Sequence, residues 1–185
     1  MRINTIVRMI IIKKIPYINS LQLLIKEIYL VLDFNKKIIF IMKELQTKEV
    51  CNILNEILEY ELAGVVRYTH SSLMVTGPYR IPIVTFLKEQ ASESMIHAQQ
   101  AGELLVGLDG HPSLKVAKIV ETHRHSIKDI LEEGMEHELH ALSLYKKLLS
   151  CVEDASVYLE EYARSMIREE EQHSLELKAM LKDYG

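Results

Sequence analysis

Two segments of the chain share one pattern. EYELAGVVRY at 59–68 and EHELHALSLY at 136–145 both read E-x-E-L-x5-Y. Each is followed by a glutamate-flanked histidine: His97 lies 36 positions after Glu61, and His173 lies 35 after Glu138. Each half is therefore one segment with an inner glutamate, then a second with a Glu/His cluster. A fold for this chain has to bring the two halves together.

The apolar spacing from Met42 onward is helical almost throughout, and no convincing strand is seen. It predicts four helices, at about 47–74, 83–108, 122–152 and 154–182, with an extra short helix allowed before the third. TGPYRIP (76–82) and LDGHPS (108–113) punctuate the chain with Gly and Pro. Asp154 reads as the N-cap of the fourth helix. The second helix would be roughly 39 Å long at 1.5 Å per residue. The 13 residues 109–121 could reach about 43 Å when extended, enough to return along the bundle. The other two links are short, so those pairs run antiparallel. The expected fold is all-α, a four-helix bundle with one long crossover between the second and third helices.

Helical phase, at about 100° per residue, shows which acids face inward. Glu61 is centred in the stripe of Leu54, Ile57, Leu58, Val65 and Tyr68, and Glu138 in that of Leu131, Met135, Leu142 and Tyr145. In MIREEEQHS (166–174) only the middle glutamate, Glu170, falls on the apolar stripe; His173 is on its shoulder, and Glu169 and Glu171 point away. His97 lies in the stripe of the second helix. Three carboxylates and two histidines sharing a core need compensating cations, because one unpaired buried carboxylate costs several kcal/mol. No Lys or Arg stands on these stripes. Bound metal is the natural partner, and oxygen with imidazole suits iron or manganese better than a thiolate-seeking metal. Ser94 occupies the position three before His97, where the fourth helix has Glu170. Glu93, four before His97, is close enough in phase to share a metal with it. His137, His140, His123 and His125 are read as surface residues, the last two diverging on a helix start. HELHA is not a zinc-protease motif, because Ala141 stands where the second histidine is needed.

Composition narrows the function classes. The formal net charge of -4 gives no reason to expect nucleic acid or an anionic membrane as a partner. Cys51 and Cys151 form no CxxC pair, which fits a cytoplasmic protein with free thiols. Residues 1–41 differ sharply from the rest, with 12 Ile, no Ala, Gly or His, and a net charge of +5. They hold no uncharged apolar run long enough to cross a bilayer, and no signal-cleavage site follows the Ile run. They are expected to be an over-extended N-terminus or an extra segment, with an amphipathic anchor or partner helix as the alternative. Residues 42–185 are expected to form the bundle domain.

These motifs resemble the ferritin-like di-iron carboxylate proteins, and bacterioferritin in particular, over about residues 43–183. YELAGVVRY resembles the first-helix segment of that family, with Glu61 as a ligand and Tyr68 as the tyrosine near the iron. ESMIHA resembles the second-helix motif, EEEQH the fourth, and Glu138 matches the third-helix glutamate. The resemblance implies metal ligands at Glu61, His97, Glu138, Glu170 and His173; the family glutamate of the second helix falls at Ser94, and Glu93 joins the set by its spacing from His97. It implies Fe(II) oxidation by oxygen or peroxide (ferroxidase activity) for iron storage and detoxification, in a homo-oligomer that could be a cage. Met95 falls where bacterioferritin supplies a haem ligand across a two-fold dimer; a plain core or surface methionine is the competing reading. Tyr68 and Tyr145 can equally be read as core tyrosines. The rivals are a di-metal peroxide-consuming or oxidase enzyme on the same bundle, a Dps-like protective protein, and a bundle that has lost oxidation.

Overall fold

The computed structural model describes residues 43–184. The expectation about residues 1–41 lies outside them. Four helices follow in order: α1 (Thr47–Met74), α2 (Arg80–Gly107), α3 (Ile127–Val152) and α4 (Val157–Leu181), closed by a 3-10 turn at Lys182–Tyr184. No strand occurs among the described residues. α1 packs along α2 and α3 along α4, and the pairs meet where α1 lies on α3. This is the expected bundle with its long crossover. No helix among the described residues is long and apolar enough to cross a membrane.

Local chemistry explains the boundaries. α1 has the expected limits. Gly77, at φ 92°, turns the chain after it. α2 begins three residues earlier than the apolar spacing indicates, because Pro82 sits in the first turn, where its missing N–H would have no helical partner. α3 starts at Ile127 rather than near Thr122. The Ser126 hydroxyl accepts from the Asp129 amide and fixes that start. The chain before it is not helical, and His123 there has a φ of 57°. Asp154 does not cap α4. It takes a left-handed conformation in the turn (φ 63°), and Ser156 is the cap, accepting from the Leu159 amide.

The crossover runs along α1 from one end to the other. The Asn55 side chain accepts from the Ser113 amide at 2.8 Å and donates to the His111 carbonyl at 3.2 Å. The Ala117 amide then donates to the Glu59 carbonyl at 2.9 Å. Farther on, Glu121 reaches His70, near the end of α1.

Two apolar clusters fill the interior. One gathers Ile53, Leu54, Ile57, Leu105, Leu148 and Met166; the other gathers Val75, Ile83, Leu87 and Ile130 around Tyr68. Between them along every helix lies a band of buried polar residues: Glu61, Ser94, His97, His137, Glu138 and Glu170. His137 is buried here, contrary to its expected surface position. The α3 phase stripe omits it, but α1 covers that side of α3, and the Tyr60 ring stacks on His137 with centroids 4.4 Å apart. Burial lowers the His137 pKa to about 4, so the ring is neutral.

Gly64 permits this close approach. A Cβ there would lie 2.6 Å from His137 Nε2 and 2.7 Å from Ser94 Oγ. Gly64→Ala is expected to destabilise the fold by about 1–3 kcal/mol through overpacking, lowering Tm by roughly 3–10 °C. Thermal unfolding measures it, and an unchanged Tm would mean that α1 does not sit this close to α3.

Candidate metal centre

One inward residue or pair from each helix builds the polar band. α1 gives Glu61, α2 gives His97, α3 gives Glu138, and α4 gives Glu170 and His173 one turn apart. Glu61, Glu138, Glu170 and His97 are buried, and His173 is nearly so. His97 Nδ1 lies 3.6 Å from Glu61 Oε1 and 3.4 Å from Glu170 Oε1. His173 Nδ1 lies 3.1 Å from Glu138 Oε2 and 3.6 Å from Glu170 Oε2. The two oxygens of Glu170 thus face the two halves. The donor atoms of Glu61, His97 and Glu170 lie within 4.8 Å of one another, as do those of Glu138, Glu170 and His173.

The outer nitrogens face carboxylates at the rim. His97 Nε2 is 3.4 Å from Glu169 Oε2, and His173 Nε2 is 3.3 Å from Glu93 Oε2. Helical phase pairs Glu93 with His97 on their own helix and points Glu169 away from the core. Instead each rim glutamate crosses to the histidine of the facing helix. Gln90 Nε2 donates to Glu93 at 2.7 Å and holds it there. Glu93 and Glu169 both stand four residues before a histidine, so the repeat marks them as equivalent residues.

The tyrosines cross as well. Tyr145 donates to Glu61 Oε1 at 2.8 Å, and Tyr68 donates to Glu138. Each repeat's tyrosine therefore serves the other repeat's glutamate. Burial, then the neighbouring carboxylates, push both phenols well above their ordinary pKa, so they stay protonated donors. Both lie at the core but bond the glutamates of the polar band. Met95 is 38% exposed and takes no part in this cluster.

Electrostatics follow from burial and pairing. Burial alone would lower both imidazole pKa values. Hydrogen bonds to Glu170 and Glu61 outweigh it at His97, and bonds to Glu138 and Glu170 outweigh it at His173, so both rise to about 10. Glu170 is pushed up by burial, but hydrogen bonds from His173 and His97 hold it below the usual range. At Glu138 burial prevails and raises the carboxyl. Without metal, two imidazolium rings thus neutralise most of the charge on three carboxylates. Among the described residues no lysine or arginine is buried. A buried set of carboxylate oxygens and imidazole nitrogens, free of sulfur, fits a pair of divalent ions of the iron or manganese type.

A family model, Ferritin-like domain, matches residues 51–184. Among solved structures, the chain is similar to a ferritin-like, di-iron-carboxylate protein from Bacillus anthracis str. Ames. The identity is 25%, over 73% of this chain and 96% of that one, with a TM-score of 0.69. It is also similar to a dodecameric thioferritin, the bacterioferritin-related protein of Bacteroides fragilis, at 23% identity, covering 76% and 89% of the two chains with a TM-score of 0.72. A third likeness is to Rhodobacter capsulatus bacterioferritin, at 23% identity, 74% and 86% coverage and a TM-score of 0.66. The last two support the fold alone. No match is found among the curated proteins.

Proposed function

This chain belongs to the ferritin-like domain family, and on that premise we propose that it binds two Fe(II) ions within one subunit and oxidises them for storage and detoxification. The observation that carries this reading is Glu170, whose two oxygens address His97 and His173 separately. Glu61, His97 and one Glu170 oxygen hold one ion; Glu138, His173 and the other oxygen hold the second. Carboxylates favour Fe(III) over Fe(II), which assists oxidation. Two Fe(II) supply two electrons, which with two protons reduce dioxygen to hydrogen peroxide, or hydrogen peroxide to two waters. Tyr145 and Tyr68 orient Glu61 and Glu138. Glu169 and Glu93 hold the histidine rings through their outer nitrogens, as outer-shell carboxylates do at other metal sites.

Both donor sets come from one chain, which favours this reading over a Dps-like site between subunits. A homo-oligomer is part of this reading, and a monomeric native mass across a concentration series would count against it. The main test is aerobic Fe(II) addition to metal-free protein. Catalysed growth of ferric absorbance is expected, and a rate no greater than that of buffer alone would overturn the proposal.

Ser94 gives a sharper prediction. It is buried three residues before His97, as Glu170 stands three before His173. Ser94→Glu would add a second shared carboxylate, and Fe(II) affinity is expected to rise by about tenfold, on the scale of a gained charged contact. Competitive titration against a chelator reads it. Unchanged affinity in the folded variant would mean that position 94 does not face the ions.

A further inference from the structure

The crossover segment ETHRH (121–125) is non-helical, and its side chains divide by parity. Thr122 and Arg124 turn toward α3. The Thr122 hydroxyl donates to Glu133, and the Arg124 guanidinium lies 3.5 Å from Asp129 and 3.9 Å from Glu133. Glu121, His123 and His125 occupy the alternate positions. Their donor atoms come within 4.8 Å of one another. The left-handed backbone at His123 (φ 57°) bends the segment there, and His123 Nδ1 lies 3.9 Å from Glu121 Oε1. Across the gap, His70 of α1 places Nε2 3.2 Å from Glu121 Oε2. The His70 and His125 rings are 5.8 Å apart.

We propose that Glu121, His123 and His125 form a second, surface metal site, separate from the buried centre, for a borderline divalent transition ion of the zinc class. Two imidazoles and one carboxylate are a donor set that such ions prefer and that magnesium or calcium does not. Three protein ligands leave a position for water. The nearby guanidiniums of Arg124 and Arg67 do not oppose the ion, because both are held by carboxylates: Arg124 by Asp129 and Glu133, and Arg67 by Glu133 at 3.6 Å. His70 is a positioning residue: its Nε2 lies 3.2 Å from the far oxygen of Glu121 and leaves the near one for the ion. The site adjoins a cleft of about 230 Å³ between α1, the crossover and α3, which gives the ion access from solvent.

The test is equilibrium dialysis of the full-length chain against Zn(II), with metal counted per chain. The Glu170→Ala chain, whose buried centre is disabled, is expected to retain one tight zinc. Adding His123→Ala and His125→Ala should remove it. In the otherwise native chain the same double substitution should lower the count by one. His123 is 85% exposed, and unchanged far-ultraviolet circular dichroism will show that the fold is intact. His70→Ala is expected to weaken zinc binding about 10–100-fold, with His70→Gln, which keeps an N–H donor, recovering most of it. A zinc count unaffected by losing both crossover histidines overturns the proposal. The buried centre is not involved in this comparison, so failure here leaves the oxidation reading untouched.

Discussion

Glu170→Ala is expected to abolish metal binding in both halves of the buried centre at once. Each Glu170 oxygen serves a different histidine, at 3.4 Å from His97 Nδ1 and 3.6 Å from His173 Nδ1. Removing it leaves each half with one carboxylate and one imidazole. Loss of an outer-shell partner alone costs about 10–100-fold in metal affinity, so loss of this direct, charged ligand should cost at least about 100-fold at each ion. Glu61→Ala and Glu138→Ala remove ligands that belong to one half only. The expected stoichiometry, read from Co(II) absorption in chains that also carry His123→Ala and His125→Ala so that only the buried centre is counted, is two ions with that centre native, one in either of those variants, and none bound tightly without Glu170. The variant should still fold, since Glu61 and Glu138 remain to pair with the histidines, and Glu170→Gln offers an isosteric control. A tight ion retained in both Glu170 variants would show that the two halves do not share this carboxylate.

The bundle and the inner acids were legible because burial has a helical period. Glu61 and Glu138 lie at the centres of long apolar stripes and Glu170 falls within one, and all three are buried. Three other features escaped the phase argument for distinct reasons. His137 is buried by the partner helix rather than by its own stripe, and the requirement was written in Gly64, on another helix, where a close approach is needed. Glu93 and Glu169 reach across to facing helices, and the phase of a single helix cannot show which neighbour a long side chain meets. His123 and His125 lie before the third helix, which starts only at Ile127; in this non-helical chain, bent by the left-handed backbone at His123, they converge instead of diverging. The repeat marks Tyr68 and Tyr145 as equivalent, but which glutamate each one meets is set by the packing of the helices.

Metal binding at the buried centre is expected to strengthen steeply with pH. His97 and His173 have pKa values raised to about 10 in the metal-free protein, so both are protonated at pH 7. Each must lose a proton from Nδ1 before that nitrogen can bind an ion. Filling both positions should therefore release about two protons, and the product of the two affinities should rise roughly 100-fold per pH unit until about pH 10. Calorimetry at pH 7 in buffers of different ionisation enthalpy counts those protons directly. The sign for stability runs the other way in the metal-free protein. A raised imidazole pKa contributes stability fully below the ordinary value of about 6.5, and this contribution is lost as pH rises through about 10. The Tyr68 and Tyr145 phenols do not interfere, because burial holds them protonated beyond this range. Raising pH thus weakens the metal-free fold while favouring the loaded one, and the gap in Tm between the two forms should widen from pH 6 to pH 9. A gap that stays constant, together with no proton release, would mean that the histidines are already neutral and that the three carboxylates are balanced in some other way.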